Sequence, residues 1–384
     1  MTPSESPARF LSLINKGHFA EEGFQSQSTI RHVDMAAAEH FDSIPLLDEA
    51  LLRTNRVEFL RALRHAITNV GFLYFKSVSF PQSLVEDIVG LLPRLFALSD
   101  KQKAEVALEK SPNFLGYSAV GTETTAGRTD LREQFEFATH LEETWTPEKP
   151  LYERLKGSSQ YPSSLPQTET IVKAYIVALT EVARDFQSLV AESLDLPCDA
   201  FLPFLSGNDR LKLVRYPAVQ KGDEESLGVG PHKDSSGWWT FLLQASPPEV
   251  KGLQVLNKTG TWIDVPNVPG TFVVNIGQAF EVVTHGTCRA TTHRVLSGPT
   301  ERFSIPFFQG VRGNLTKAEA LDALPGYLWD ASAESHQGAK VDSAFLKGRY
   351  DTWGESQLRT KIRSHEEVGK RFYGDVYMQY LDDS

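Results

Sequence analysis

The stretch Pro231-His232-Lys233-Asp234, with the run Trp238-Trp239-Thr240-Phe241-Leu242-Leu243 just beyond it, lies in the region whose rhythm decides the fold. From residue 210 onward the apolar runs become short and turn-bounded: 211–217, 238–244, 252–256, 261–265, 271–276, 290–296 and 302–308, with Gly252, Asn257, Gly260, Pro266, Pro269, Gly270 and Pro299 between them. About seven short strands at this spacing predict an antiparallel sandwich or jelly roll. In extended chain, residues i and i+2 point the same way, so His232 and Asp234 can present an imidazole and a carboxylate to one point. By itself the His-x-Asp pattern says little. With ten histidines in 384 residues, roughly half an occurrence is expected by chance. A second one, His32-Val33-Asp34, sits in an Ala/Glu-rich helical stretch and reads as a solvated surface pair.

Outward from this region the pattern is helical and mixed. Residues 1–40 carry Gly and Ser punctuation and read as an N-terminal extension. Ile44-Pro45-Leu46-Leu47-Asp48 reads as a short opening strand. Val57, Leu60, Leu63 and Ile67 recur at helical spacing over 55–69 until Gly71 breaks the pattern. Phe72-Leu73-Tyr74-Phe75 is an apolar and aromatic strand. Helices are expected over 81–110, loop with short strands over 111–166, a long helix at about 168–195, and helical content again over 345–381. The expected organisation is an extension (1–40), a mixed α/β region (41–205), a jelly-roll core (206–312) and a C-terminal helical segment packing on the core (313–384). The fold class is mainly β with flanking helices.

Composition narrows the partners. Thirty-nine Lys and Arg against forty-nine Asp and Glu leave a net charge of −10. That balance argues against binding nucleic acid or anionic lipid, both of which need a basic surface. No apolar run approaches the ~18–20 residues that span a bilayer. The first residues lack the pattern of a signal peptide and the last three are no peroxisomal address, so a cytoplasmic location is expected. Two cysteines, Cys198 and Cys288, make neither a disulfide framework nor a structural zinc site and read as inert thiols.

Sixty-one residues after His232 stands His293, in Thr291-Thr292-His293-Arg294-Val295, and nine further on stand Arg302-Phe303-Ser304. Two histidines and one carboxylate on one face of a metal leave the opposite positions open, which suits Fe(II) and O₂ chemistry. An Arg beside a Ser hydroxyl on one strand face makes a carboxylate clamp. His285, in Thr284-His285-Gly286, reads as a turn residue rather than a rival ligand. His140 reads as a partly exposed histidine. Trp238 and Trp239 alternate along a strand, so one is expected to face in and the other out.

Taken together, these motifs resemble the isopenicillin N synthase-like branch of the non-haem Fe(II), 2-oxoglutarate-dependent oxygenases. The resemblance runs through Ile44–Asp48, Gly71–Phe75, Gln160-Tyr161-Pro162 and Leu211–Pro217. It continues through His232-x-Asp234, Gly252-Leu253-Gln254-Val255, Trp262–Pro266, Pro269-Gly270, Val274-Asn275-Ile276-Gly277, His293-Arg294-Val295 and Arg302–Phe308. It implies a double-stranded β-helix core of jelly-roll type flanked by helices. It implies that His232, Asp234 and His293 ligate Fe(II) and serve catalysis, and that Arg302 and Ser304 hold the distal carboxylate of 2-oxoglutarate. Tyr216 matches a tyrosine that in many relatives bonds the same co-substrate. The implied reaction consumes O₂ and 2-oxoglutarate and releases succinate and CO₂. It oxidises a C–H of a small organic substrate, such as a secondary metabolite, by hydroxylation, desaturation or ring closure, with ascorbate helpful in vitro. Two positions depart from the pattern: Gln278 stands where Asp is usual, and His285-Gly286 where Asn-Gly is usual.

Other readings stay open on the sequence. A same-family oxidase that uses no 2-oxoglutarate would bind its substrate's own carboxylate at Arg302 and Ser304. A catalytically inactive jelly-roll binding protein would not need the intact triad. A zinc hydrolase would be expected to carry a motif such as His-Glu-x-x-His, which is absent. The loop 111–130, with Gly116-Tyr117 and Gly121–Thr125, reads as surface loop with a composition that would suit a lid over the site.

Overall fold

The computed structural model describes residues 41–125, 127–142, 145–219, 227–235, 237–325 and 341–381. The extension 1–40 and the His32/Asp34 pair lie outside the described residues. The strands in chain order are β1 (Leu46–Asp48), β2 (Phe72–Lys76), β3 (Gly116–Ser118), β4 (Thr124–Thr125), β5 (Arg128–Thr129), β6 (Glu133–Ala138) and β7 (Arg210–Tyr216). Then follow β8 (Leu227–His232), β9 (Trp239–Gln244), β10 (Leu253–Leu256), β11 (Trp262–Asp264), β12 (Thr271–Ile276), β13 (His293–Leu296) and β14 (Arg302–Phe308). Eight form a major sheet in the order β1-β2-β12-β9-β14-β7-β6-β3, and four form a minor sheet in the order β11-β10-β13-β8. All pairings are antiparallel except β1 with β2. This is the expected jelly-roll core with flanking helices.

The two sheets enclose one core, in which Tyr74, Val214, Tyr216 and Val273 of the major sheet meet Val229, Leu253, Val255 and Val295 of the minor one. The major sheet's other face is also buried. Leu73, Phe75, Phe135, Leu211, Phe241 and Ile305 pack there against Tyr175, Leu179 and Phe186 of the long helix Gln167–Ser193. A sheet covered on both sides needs apolar residues on both faces of its strands. That is why β2 and β12 read as continuous apolar runs rather than as alternations. It also corrects the expectation for the tryptophan pair, since both are buried. Trp238 stacks on Phe204 and Trp239 meets Phe186 edge-on.

Helix Arg56–His65 continues into one wide turn, Ala66–Val70, which ends at Gly71 with φ 76°. A Cβ at Gly71 would stand 2.4 Å from the Arg289 carbonyl, so the turn needs glycine twice over, for its backbone angle and for space. β8 falls outside the expected strand runs because Gly228, Gly230 and Pro231 are poor strand formers. Its Gly228 is there for packing: a Cβ would come within 2.6 Å of the Tyr216 ring. C-terminal to the core, helix Trp353–Ser364 and helices Glu366–Phe372 and Gly374–Leu381 bury Leu358, Ile362, Val368 and Tyr373 against Leu108 and Phe114. Gln357 Nε2 donates to the Ser235 carbonyl at 2.7 Å, so this helix touches the loop that follows β8. No helix among the described residues is long and apolar enough to cross a membrane.

Candidate metal centre

β8 ends on His232 and β13 begins on His293, and the two residues are directly paired in the minor sheet. Opposed residues of an antiparallel pair project to the same face. The two imidazoles therefore stand side by side, ring centroids 4.3 Å apart. Asp234, two residues beyond His232, returns its carboxylate to the same point. Its Oδ1 lies 3.7 Å from His232 Nε2 and 3.6 Å from His293 Nε2. Three ligand atoms fall within 4.8 Å of one another, and no other described group of three or more His, Cys, Asp or Glu side chains converges in this way.

The remaining atoms of the triad are already committed. His232 Nδ1 faces the Gly230 carbonyl at 2.8 Å and His293 Nδ1 faces that of Thr291 at 3.2 Å. Donation from each Nδ1–H fixes the tautomer and leaves the Nε2 lone pair toward the shared point. Asp234 Oδ2 accepts from Thr240 Oγ1 at 2.6 Å and Asn275 Nδ2 at 2.8 Å, which leaves Oδ1 for the centre. The Gln278 N–H donates to the Asp234 carbonyl at 2.9 Å and pins the backbone. Burial, then the neighbouring His293, pushes the His232 imidazole down to about 3. Burial opposes ionisation of Asp234, but the two imidazoles and the Thr240 and Asn275 hydrogen bonds outweigh it and hold the carboxyl below its usual range. The donors are two imidazole nitrogens and one carboxylate oxygen. That set fits a divalent transition metal with open positions opposite.

Across the same cavity stands the major sheet. Arg302 on β14 is paired with Tyr216 on β7, and its guanidinium lies 5.1 Å from the Tyr216 ring centroid. The residue is 3% exposed. Its Nη2 donates to Gln244 Oε1 at 3.1 Å, while Nη1 has no hydrogen-bond partner, and no carboxylate among the described residues pairs with it. Burial pushes its pKa down. A buried cation without a counter-charge is costly, so this one fits a carboxylate supplied from outside the chain. Ser304, two residues on, lines the cavity with Arg302, Tyr216 and the triad. The donors on this wall fit the far carboxylate of 2-oxoglutarate, just as the triad fits Fe(II).

The departures sit elsewhere. Gln278 opens the short helix Gln278–Val283 and its side chain donates to the Asp342 carbonyl at 3.1 Å. His285 occupies a left-handed turn at φ 50° with Nε2 2.6 Å from the Leu321 carbonyl. His140 and Cys198 are exposed, and burial pushes the Cys288 thiol up to about 12. Sequence reasoning assigned no role to Thr240 or Asn275, although Asn275 lies in the quoted Val274–Gly277 motif. Arg132 was also missed: it lines the same cavity as the triad and nothing in its local sequence marks it.

Arg132 belongs to a buried polar wall that the loop reading of 111–130 did not anticipate. Glu123 Oε2 accepts from Arg132 at 2.9 Å and Gln134 at 2.6 Å, and Glu123 Oε1 accepts from Lys212 at 3.2 Å. Glu136 pairs with Arg210 and Lys361. His365, at the junction of the last helices, is buried with neither ring nitrogen bonded, and its Nε2 is 4.0 Å from Glu123 Oε1. Burial holds this imidazole down at about 4 against an ordinary 6.5. Below pH 6.5 the unfolded chain takes up the proton first, so stability is full above that pH and falls as pH drops toward 4. His365→Leu should remove this residue's share of the loss, so urea midpoints of the metal-free protein should decline less steeply over that interval than those of the wild type.

Known proteins are similar to this chain in sequence and in fold. Residues 44–164 match the family model described as the non-haem dioxygenase in morphine synthesis N-terminal region, and residues 208–311 match that of the 2OG-Fe(II) oxygenase superfamily. A 2-oxoglutarate-dependent dioxygenase, frbJ, of Dothideomycetidae sp. (strain 11243) is 40% identical over 355 residues, covering 89% of this chain and 94% of the relative. A 2-oxoglutarate-dependent dioxygenase of Gibberella zeae is 34% identical over 362 residues, covering 88% and 93%. The crystal structure of a full-length Neurospora crassa protein in complex with alpha-KG and 5-formyluracil superposes with a TM-score of 0.66 at 22% identity, covering 85% of this chain and 99% of that one.

Proposed function

The chain belongs to the non-haem Fe(II), 2-oxoglutarate-dependent oxygenases, and on that premise we propose that His232, Asp234 and His293 hold its iron while Arg302, Ser304 and Tyr216 hold the distal end of 2-oxoglutarate. The protein is a dioxygenase that acts on a small organic molecule with Fe(II), 2-oxoglutarate and O₂. In our reading the outcome is hydroxylation, desaturation or ring closure at an unactivated C–H. The observation that carries the site assignment is the buried, uncompensated Arg302 guanidinium in the same cavity as the convergent triad. We also read 41–205 as the N-terminal region, 206–312 as the catalytic core and 313–384 as the segment that packs on it. The two matched ranges, 44–164 and 208–311, support this division.

Bound Fe(II) with 2-oxoglutarate and O₂ supplies oxidative decarboxylation to succinate and CO₂, coupled to oxidation of the substrate C–H. The residues supply position and exclusion. Gly230 and Thr291 carbonyls hold the imidazoles in the ligating tautomer, and Thr240 and Asn275 hold Asp234 to one free oxygen. Apolar side chains such as Phe72, Leu242 and Val295 line the cavity and keep bulk water from the reacting centre. Arg302 and Ser304 fix the co-substrate's orientation through charge-assisted donors.

Asn275→Ala removes one of the two bonds to Asp234 Oδ2 and frees the carboxylate to rotate. Loss of such a partner typically costs ~10–100-fold in metal affinity. The expected result is weaker Fe(II) binding by that factor in a competitive chelator titration, with an unchanged far-UV spectrum. The function itself is tested by succinate formation with Fe(II), ascorbate and 2-oxoglutarate, matched one to one with oxidised product. Substrate oxidation that proceeds at full rate without 2-oxoglutarate would replace this reading with the oxidase that clamps its substrate's own carboxylate at Arg302.

A further inference from the structure

We propose that the buried polar wall beside the metal cavity, built from Ser118, Arg132, Gln134, Lys212 and His365 around Glu123, is the substrate-recognition site and takes a small molecule bearing a carboxylate. This rests on the reading of the metal and co-substrate site above.

The first support is position. Gln244, Ser304, Val214, Gln134 and Ser118 are successive register partners across β9, β14, β7, β6 and β3. Directly opposed residues share a face, so this row runs along one face of the major sheet, from the co-substrate clamp to the polar wall. Arg132 joins the two, because it lines the cavity that also holds His232, Asp234, His293 and Tyr216. A group held by Arg132 therefore shares the cavity of the triad.

The second support is unmet hydrogen bonding. Ser118 Oγ, Arg132 Nε, Gln134 Oε1 and both ring nitrogens of His365 are buried without a partner among the described residues. Native interiors leave few polar atoms unpaired, and a cluster of them marks a place where something polar binds. Three of these residues, Ser118, Gln134 and His365, are each less than a tenth exposed. Arg132 is held through Nη2 by Glu123 and Asp130 at 2.9 Å each, which fixes the guanidinium and leaves Nε–H unpaired.

Charge selects the group. Four cations (Arg132, Arg210, Lys212 and Lys361) face three carboxylates (Glu123, Glu136 and Asp130) in this network. One positive charge is left over with all three acids ionised, and Arg302 is reserved for the co-substrate. A carboxylate from the substrate balances the wall and accepts from Arg132 Nε–H and from Ser118. The ring N–H of a neutral His365 supplies a further donor to it. A neutral amide offers the same shape without the charge.

The test uses full-length protein loaded with Mn(II) and saturating 2-oxoglutarate, titrated calorimetrically with short aliphatic and aryl monocarboxylic acids, each beside its primary amide. Acids are expected to bind and their amides to bind at least ~tenfold more weakly, about one charge-assisted bond. Arg132→Gln should weaken the acids by about thirtyfold or more, the typical loss when one partner of a desolvated charge pair is removed, and weaken 2-oxoglutarate far less, since Arg302 is untouched. Because Arg132→Gln also strips Glu123 and Asp130 of a partner, a second variant guards against misfolding. His365→Leu removes two unbonded nitrogens, so the ligand-free protein should melt at the same temperature or higher, while acid binding still weakens. A purely structural histidine would not separate the two readouts. Amides binding as well as acids, no acid binding at all, or both variants binding acids like the wild type would overturn the proposal. Failure of the wild type to bind 2-oxoglutarate before any acid is added would instead overturn the reading on which it rests.

Discussion

Arg302→Ala should bind 2-oxoglutarate roughly thirty- to several-thousandfold more weakly than the wild type. Removing one partner of a desolvated charge pair costs ~2–5 kcal/mol, and each ~1.4 kcal/mol is tenfold. Arg302 suits that estimate because it is 3% exposed, carries no ion pair among the described residues and leaves Nη1 unbonded. Arg302→Lys should fall between, since the charge survives but the forked geometry is lost. Ser304→Ala should cost less, ~1.5–3 kcal/mol, the value of a hydrogen bond to a charged group. The same burial predicts an effect of opposite sign on stability. Arg302→Met replaces an uncompensated cation with an apolar chain, so the ligand-free protein should unfold at higher urea concentration even as it loses the co-substrate. A variant that keeps 2-oxoglutarate affinity but loses substrate affinity would show that the clamp holds substrate instead.

Asp234→Ala and His293→Ala should each abolish Fe(II)-dependent turnover while the jelly roll stays folded. Asp234 supplies the one charged donor, and both imidazoles converge on its Oδ1 within 3.7 Å. Without it, Thr240 and Asn275 lose their acceptor, and only two imidazole nitrogens remain to hold a dication. Asp234→Glu should also be weak, because one added methylene displaces the oxygen from a rigidly held position. Near-normal turnover in His293→Ala would reopen His285, which is placed in a turn and bonded to the Leu321 carbonyl. The readout is initial rate at saturating Fe(II), with circular dichroism to show that each variant is folded.

Much of this site was legible in the sequence because its parts are local. His232 and Asp234 share a strand end at i and i+2, and Arg302 and Ser304 share a strand face. In both cases a two-residue period is enough to place them together. The pairing of His293 with His232 needed the ordered motifs between them, since nothing local joins residues 61 apart. β8 escaped because its glycines serve a neighbour, the Tyr216 ring, rather than the strand itself. The tryptophan pair misled because alternation assumes one wet face, whereas the long helix and Phe204 cover both sides here. The polar wall was out of reach. Glu123, Gln134, Lys212 and His365 lie on four separate segments, and each taken alone reads as a surface residue. Buried ionic networks are specified by tertiary packing, not by propensity or period.

Catalysis depends, in our reading, on His232, Asp234 and His293 forming one iron site that receives 2-oxoglutarate held by Arg302. An anaerobic titration of the full-length protein, first with Fe(II) and then with 2-oxoglutarate, followed by visible absorption, reads that site directly. We expect one Fe(II) per chain and a charge-transfer band that grows with 2-oxoglutarate. The band should vanish in Asp234→Ala and require far more 2-oxoglutarate in Arg302→Ala. No band in the wild type, or an undiminished band in Asp234→Ala, would contradict it.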